Sequence, residues 1–233
     1  MLLIAEIGLN YEGKPHLAQE LIRQASRCGA DIAKFQFGWR DKPGEINHID
    51  ADLAHQFKEW CRYYEIEMMA SIITESALEL ARMVGPERYK IASRTVVENP
   101  ELVRAVLAEG KETFISLGWW KGKDFPYGPP DEQIRYLYCV SHYPTAPHQL
   151  AEMPAHFGEE GYYGYSDHLL GIEGCLLALS RGAQVIEKHF TLEKTIDSVH
   201  GDHLLSATPE EFRLLHEIGG PLSRLVASHR GEK

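Results

Sequence analysis

"GYYGYSDHLLGIEGCLLALSRGAQVIEKHFT" (residues 161–191) holds two short β-rich runs, "GYYGYSDH" (161–168) and "QVIEKHFT" (184–191), on either side of a helical one, "GIEGCLLALSRGA" (171–183). A strand, a crossover helix and a second strand in so short a span form a parallel pair. Working outward, the same unit recurs. Strand-like runs stand at "LLIAEIG" (2–8), "DIAKFQF" (31–37), "EMMASII" (67–73), "YKIAS" (89–93), "ETFISLG" (112–118) and "IRYLYCVSHY" (134–143). Helical patterns fill 15–30, 50–64, 74–84 and 99–110, with a weak one at 147–158 and a last one at 208–226, expected to kink near Gly219, Gly220 and Pro221. Only "WWKGKDFPYGPP" (119–130) reads as an irregular loop. Eight strands alternating with helices predict an α/β chain with a parallel sheet. Eight units in 233 residues suit a (β/α)₈ TIM barrel. The competing doubly wound sheet would open on a glycine-rich phosphate turn, and "GLNYEG" (8–13) does not match it.

One barrel domain over 1–233 is expected. The formal charge of −10 argues against a nucleic-acid partner. No apolar run approaches the ~18 residues of a membrane span. The start, "MLLIAEIGLNYEG", lacks the basic segment of a signal peptide. Cys28, Cys61, Cys139 and Cys175 are scattered, which predicts buried, reduced thiols and a cytoplasmic protein.

Strand side chains alternate between the barrel interior and the helices. Taking the charged set as inward points Glu6, Lys34, Gln36, Lys90, Ser116, Ser166, His168, Glu187 and His189 inside, with Ala5, Phe35, Phe37 and Ile91 outside. Most of the polar ones come late in their strands, at the end where barrel enzymes carry their sites. Any single Lys–Glu pair could be purely structural, but a converging set of carboxylates, lysines and histidines is better explained as a site. His168 and His189 close the seventh and eighth strands, which are neighbours about 4.8 Å apart. They suit a divalent first-row metal with open positions. Glu6, Glu187 and Asp202 are placed to complete or orient its ligands. The lysines predict a bound phosphate or carboxylate.

At these residues the sequence resembles the N-acetylneuraminate (sialic acid) synthases. The likeness runs through "AEIGLNYEG" (5–13), "GADIAKFQF" (29–37), "YKIAS" (89–93), "CVSHYPTA" (139–146), "GYSDH" (164–168), "GAQVIEKHFTLEK" (182–194) and "GDHLLSATPEEF" (201–212). It covers the barrel only, without the C-terminal antifreeze-like domain that such proteins usually carry. The resemblance implies condensation of phosphoenolpyruvate with an N-acetylated hexosamine aldehyde, assisted by Mn²⁺ or Mg²⁺. It implies His168 and His189 as metal ligands, Lys34 and Lys90 on phosphoenolpyruvate, and Gln36, Ser93 and Ser166 as hydrogen-bond partners. Glu6 would manage a proton or water, and Tyr143, Asp167, Glu187 and Asp202 would line the sugar side. A homodimer is compatible with it.

Several positions depart from the family pattern. Tyr11 replaces a histidine after Asn10, and Arg94 and Thr95 replace a Gly-Glu pair. Different aldolase or lyase chemistry on the same metal site is therefore an alternative, as is a non-catalytic paralogue acting through a partner. Trp119 and Trp120 are read as loop packing in preference to a sugar platform. His200 and His203, flanking Asp202, are weighed as extensions of the metal site.

Overall fold

Eight strands hydrogen-bond side by side in chain order and close into a barrel, every pair parallel. They are β1 Leu2–Glu6, β2 Ile32–Phe37, β3 Glu67–Ile72, β4 Tyr89–Ile91, β5 Thr113–Ser116, β6 Ile134–Cys139, β7 Tyr162–Asp167 and β8 Val185–His189. The computed structural model describes residues 1–198 and 201–231, so His200 lies outside the described residues. Helices α1 Pro15–Arg27, α2 Ala51–Tyr63, α3 Glu75–Val84, α4 Ser93–Glu98, α5 Pro100–Leu107, α6 Glu173–Ser180 and α7 Pro209–Arg230 wrap the barrel. No described helix is long and apolar enough to cross a membrane.

The barrel interior is layered. Ile4, Ile32, Met69, Phe114, Leu137 and Val185 form a separate buried cluster, an apolar plug at the amino ends of the strands. Two residues further along, the same faces carry Glu6, Lys34, Ser71, Ser116, Cys139 and Glu187. The plug closes the bottom, so these polar groups look out through the carboxyl-end mouth. Leu3, Ala5, Ile7, Phe35, Phe37 and Ile91 belong instead to the larger cluster beneath the helices. The expected inward and outward sets are therefore the ones seen.

Gly164 has no room for a side chain. An added Cβ would lie 2.2 Å from the Val185 carbonyl oxygen and 2.7 Å from the Val185 Cβ. Backbone cannot move aside cheaply, so Gly164→Ala is expected to lower stability by about 2 kcal/mol. Urea unfolding checks this through a lower midpoint at unchanged slope.

Local chemistry corrects four boundaries. β6 ends at Cys139, four residues early, because the chain turns inward at the rim, where the Thr145 N–H donates to the His168 carbonyl at 2.9 Å. The weak helix at 147–158 shrinks to a 3₁₀ turn, Pro147–Leu150. Pro154 lacks an N–H and disfavours helix at the residue before it. Ser93–Glu98 forms an additional helix, broken from α5 by Asn99, whose side chain caps Leu102. α7 runs unbroken through Gly219, Gly220 and Pro221. Gly219 acts there as a packing contact, since a Cβ would meet the Leu179 side chain of α6 at 2.7 Å.

Candidate active site

Lys34 and Lys90 rise from β2 and β4 into the mouth, both buried. Between them stands Glu187 of β8, 3.6 Å from the Lys34 ammonium and 3.5 Å from that of Lys90. Ser166 donates to Glu187 at 2.7 Å. Lys34 also touches Glu6 at 2.5 Å and donates to Ser71 at 3.0 Å. Lys90 donates to Ser116 at 2.8 Å. Gln36 donates to Glu6 at 2.6 Å. Gly8, with φ +52°, permits this last contact, for a Cβ there would sit 3.0 Å from Glu6 Oε1 and 3.1 Å from Gln36 Nε2.

The four charges are not equivalent. Burial disfavours ionisation of Glu187, yet the two lysines and Ser166 outweigh it and hold the carboxyl down to about 2. Burial also opposes the Lys34 charge, but Glu187 and Glu6 overcome it and keep the amine above its ordinary value. Burial lifts the Glu6 carboxyl, helped by the nearby Glu187 charge, in spite of Lys34. Burial pulls the Lys90 amine down, and repulsion from Lys34 adds to it. The firm ions are thus Lys34 and Glu187. Glu6 and Lys90 are the groups that burial pushes toward their neutral forms, the carboxyl upward and the amine downward, a common signature of catalytic acids and bases.

Above this floor stand the two imidazoles. The His168 and His189 rings lie 5.5 Å apart, centre to centre, on neighbouring strands of one rim. His168 Nδ1 lies 2.9 Å from the Val140 carbonyl, which only accepts, so Nδ1 carries the proton and the Nε2 lone pair is left for a ligand. His189 Nδ1 is buried without a hydrogen-bond partner, and the nearest carboxylate, Asp202, is 3.8 Å away. Burial pulls His189 down and outweighs the opposing pull of Asp202, which favours the neutral, ligating ring. No ready group of three or more metal-binding side chains occurs among the described residues. Two adjacent imidazoles, one with a buried ring nitrogen that has no hydrogen-bond partner, nevertheless suit a borderline divalent ion that takes its other ligands from small molecules.

Glu6, Lys34, Gln36, Lys90, Ser93, Tyr143, Ser166, His168, Glu187, His189 and Asp202 all line one pocket of about 410 Å³. Tyr143 leans over the His168 ring at 4.1 Å, and Ser93 bonds Ser141 at 2.9 Å. Asp202 is held from behind, its N–H donating to the buried Asn10 side chain at 2.7 Å.

Asp167 is a correction. It points out beneath α6, where its carboxylate meets Lys188 at 2.6 Å with both side chains fully buried. The reason is the strand period, since its neighbours Ser166 and His168 both face inward. His203 likewise leaves the site, bonding Thr191 at 2.7 Å and Glu12 at 3.0 Å. Trp120 packs in its loop as expected, donating to the Asp124 carbonyl at 2.9 Å, but Trp119 reaches the pocket. Tyr11, the departure beside Asn10, packs edge-on against Phe57 at 5.5 Å and takes no part in the pocket.

Sequence reasoning missed Ser71 and Cys139 as pocket residues. Both share the inward parity of polar neighbours, which is the signal that points to them. All four cysteines are buried and free. Burial opposes ionisation of Cys139, but His168 and Lys90 outweigh it and set the thiol below its ordinary value.

Comparison with known proteins agrees with this geometry. An uncharacterised protein of Methanocaldococcus jannaschii is 31% identical, the match covering 91% of this chain and 67% of that one. The human N-acetylneuraminate-9-phosphate synthase is 30% identical over 96% of this chain and 73% of its own length. The crystal structure of the N-acetylneuraminic acid synthetase of Leptospira borgpetersenii, in complex with citrate, superimposes with a TM-score of 0.85 at 27% identity, covering 97% of this chain and 84% of that one. This chain thus spans roughly two thirds to three quarters of the two curated relatives. With residues 45–220 matching the family as a whole, the chain belongs to the NeuB family.

Proposed function

We propose that the barrel condenses phosphoenolpyruvate with an N-acetylated hexosamine or a related aldehyde, giving a 2-keto sugar acid and inorganic phosphate. One observation carries this. Two buried lysines straddle a single carboxylate at the bottom of a polar pocket whose wall holds two adjacent imidazoles. A phosphate and a carboxylate on one small substrate match Lys34 and Lys90, which act as point charges. Entry of that anion favours the charged form of Lys90 against the burial that opposes it. Gln36, Ser93 and Ser166 fix its orientation by hydrogen bonds. The methylene carbon of the enol then forms the new bond to the aldehyde carbon, whose oxygen takes up a proton. Water adds to the adjacent carbon, which carries the phosphate ester and the carboxylate, and gives up its protons as the C–O bond to phosphate breaks, leaving the ketone and inorganic phosphate. Glu6, with its raised carboxyl, is the group placed to hand on the proton or to receive one from water. Tyr143 and Asp202 line the acceptor side. The lysines offset the phosphate charge throughout.

A Mn²⁺ or Mg²⁺ ion held by His168 and His189 would polarise the aldehyde carbonyl when bound. The relatives' names, synthases of N-acetylneuraminate 9-phosphate and of N-acetylneuraminic acid, support the same chemistry.

The test is phosphate release from phosphoenolpyruvate with a panel of N-acetylhexosamines, before and after chelator dialysis. Release that needs both an aldehyde and a divalent metal is expected. His168→Ala and His189→Ala should each lose bound manganese by elemental analysis while melting near the parent temperature. A metal-free, fully active protein would remove the metal from the proposal. No phosphate release with any aldehyde, with metal bound, would point to the lyase or non-catalytic alternatives.

A further inference from the structure

The mouth of the pocket carries residues that the proposed condensation does not use. Trp39, Arg40, Arg94 and Trp119 line it on one side. Trp39 and Trp119 are 39% and 44% exposed despite their size. Flat aromatic faces left open beside a cleft are suited to stacking on a ligand. The Arg94 guanidinium lies over the Trp119 ring, 5.9 Å from its centre. Trp39, Arg40 and Arg94 also line a second cavity of about 400 Å³ over the rim, with Glu98 on its wall. Five shared residues, these three with Ile73 and Ala92, make the two cavities one continuous groove, running from the floor lysines past Arg94.

The charges along that groove differ. The floor is balanced, two lysines facing Glu6 and Glu187. At the rim Arg94 pairs with Glu98, one helical turn away at 2.6 Å, and both side chains are about half exposed. An exposed pair of this kind is weak. It occupies the Nε edge of the guanidinium, whose terminal nitrogens form the fork that fits anionic oxygens two at a time. Among the described residues the rim cavity is lined by two arginines, Arg40 and Arg94, against the one carboxylate Glu98, which on a chain of net charge −10 is a local reversal of the global field.

We propose that the Arg94–Trp119 rim is a subsite for an anionic group, a phosphate ester or a carboxylate, at the end of the acceptor sugar remote from its aldehyde. This rests on the condensation reading, which places the aldehyde end beside the imidazoles and so sends the tail of the molecule to the mouth. Arg94 is then the residue that selects a charged acceptor over a neutral one, with the Trp119 face bounding the sugar's path. Glu98 competes with the ligand for Arg94.

The experiment is calorimetric binding of an N-acetylhexosamine, its 6-phosphate and the corresponding uronic acid to the whole chain. The parent, Arg94→Ala and Glu98→Gln proteins are compared. At least one charged sugar is expected to bind the parent about tenfold more tightly than the neutral one, the ratio of the two charged forms telling phosphate from carboxylate. Arg94→Ala should bring charged and neutral sugars to near-equal affinity, and Glu98→Gln should widen the gap. Equal affinities in the parent would overturn the subsite. So would a preference that survives Arg94→Ala, which would place the anion on Lys34 and Lys90. Phosphate release measured alongside separates the two levels. An anion preference without turnover on any sugar removes the condensation and keeps the subsite, whereas turnover without an anion preference does the reverse.

Discussion

Replacing Glu187 by glutamine is expected to lower the melting temperature by about 10 °C and to end phosphate release from phosphoenolpyruvate. The carboxylate is shared by two buried ammonium groups, at 3.6 Å and 3.5 Å. Without it Lys34 retains Glu6, but Lys90 is left with the Ser116 hydroxyl and the Ile91 carbonyl. Breaking a buried ion pair from one side costs about 3–5 kcal/mol, because the remaining charge has lost both water and partner. In a domain of this size each kcal/mol moves the midpoint by roughly 2–4 °C. The amide also fails to oppose the lysines, so the floor loses the charge balance into which an anionic substrate fits. Adding Lys90→Met to Glu187→Gln should recover much of the melting temperature without restoring activity, since neither charge is then left alone. Scanning calorimetry on the two single variants and the double closes the cycle. A single variant melting with the parent would show that the carboxylate does not hold the lysines.

How far the sequence alone reaches is visible in particular residues. The barrel was legible from alternation, because each strand shows its own period of two and each helix its own spacing. Lys34, Glu187 and His189 were legible for the same reason, since a charged residue at inward parity in an apolar strand has no cheap alternative to a site. The same rule already turned Asp167 outward. Family likeness alone assigns it to the sugar side, against the parity of its own strand. Lys188 alternates with Glu187 and His189, so it too had to face the helices, and what makes a buried lysine tolerable there is a partner on β7 that only the strand register supplies. Ser71 and Cys139 were hidden for another reason. Small side chains fit a core as readily as a pocket wall, so their inward parity is a weak signal until closure of the barrel distinguishes the two. The rim loops were least legible of all. Trp119 and Trp120 are identical neighbours, yet one turns to the pocket and the other into its loop, a choice made by tertiary packing.

Lys188→Met carries the second large expectation, and it separates structural from chemical lysines. Lys188 donates to Asp167 at 2.6 Å and to the Leu169 carbonyl at 2.5 Å. Asp167 in turn accepts from the Tyr165 hydroxyl at 2.6 Å, the Leu169 N–H at 3.2 Å and the Cys175 thiol at 3.5 Å. The two residues are register partners across β7 and β8, each immediately before one of the imidazoles. Methionine fills the lysine stem but leaves a carboxylate buried beneath α6 without a cation. A loss of about 3–5 kcal/mol is expected, with Asp167→Asn added to Lys188→Met restoring much of it. The pair also fixes the strand ends that carry His168 and His189. Manganese affinity in the variant should therefore fall by about 10–100-fold. Binding of phosphoenolpyruvate to Lys34 and Lys90 should change little, because those lysines rest on β2 and β4. Calorimetric titration of manganese and of phosphoenolpyruvate into the same folded sample reads both. Equal weakening of the two ligands would mean that the barrel had loosened as a whole, and a parent-like manganese affinity would mean that the imidazoles hold their places without the pair behind them.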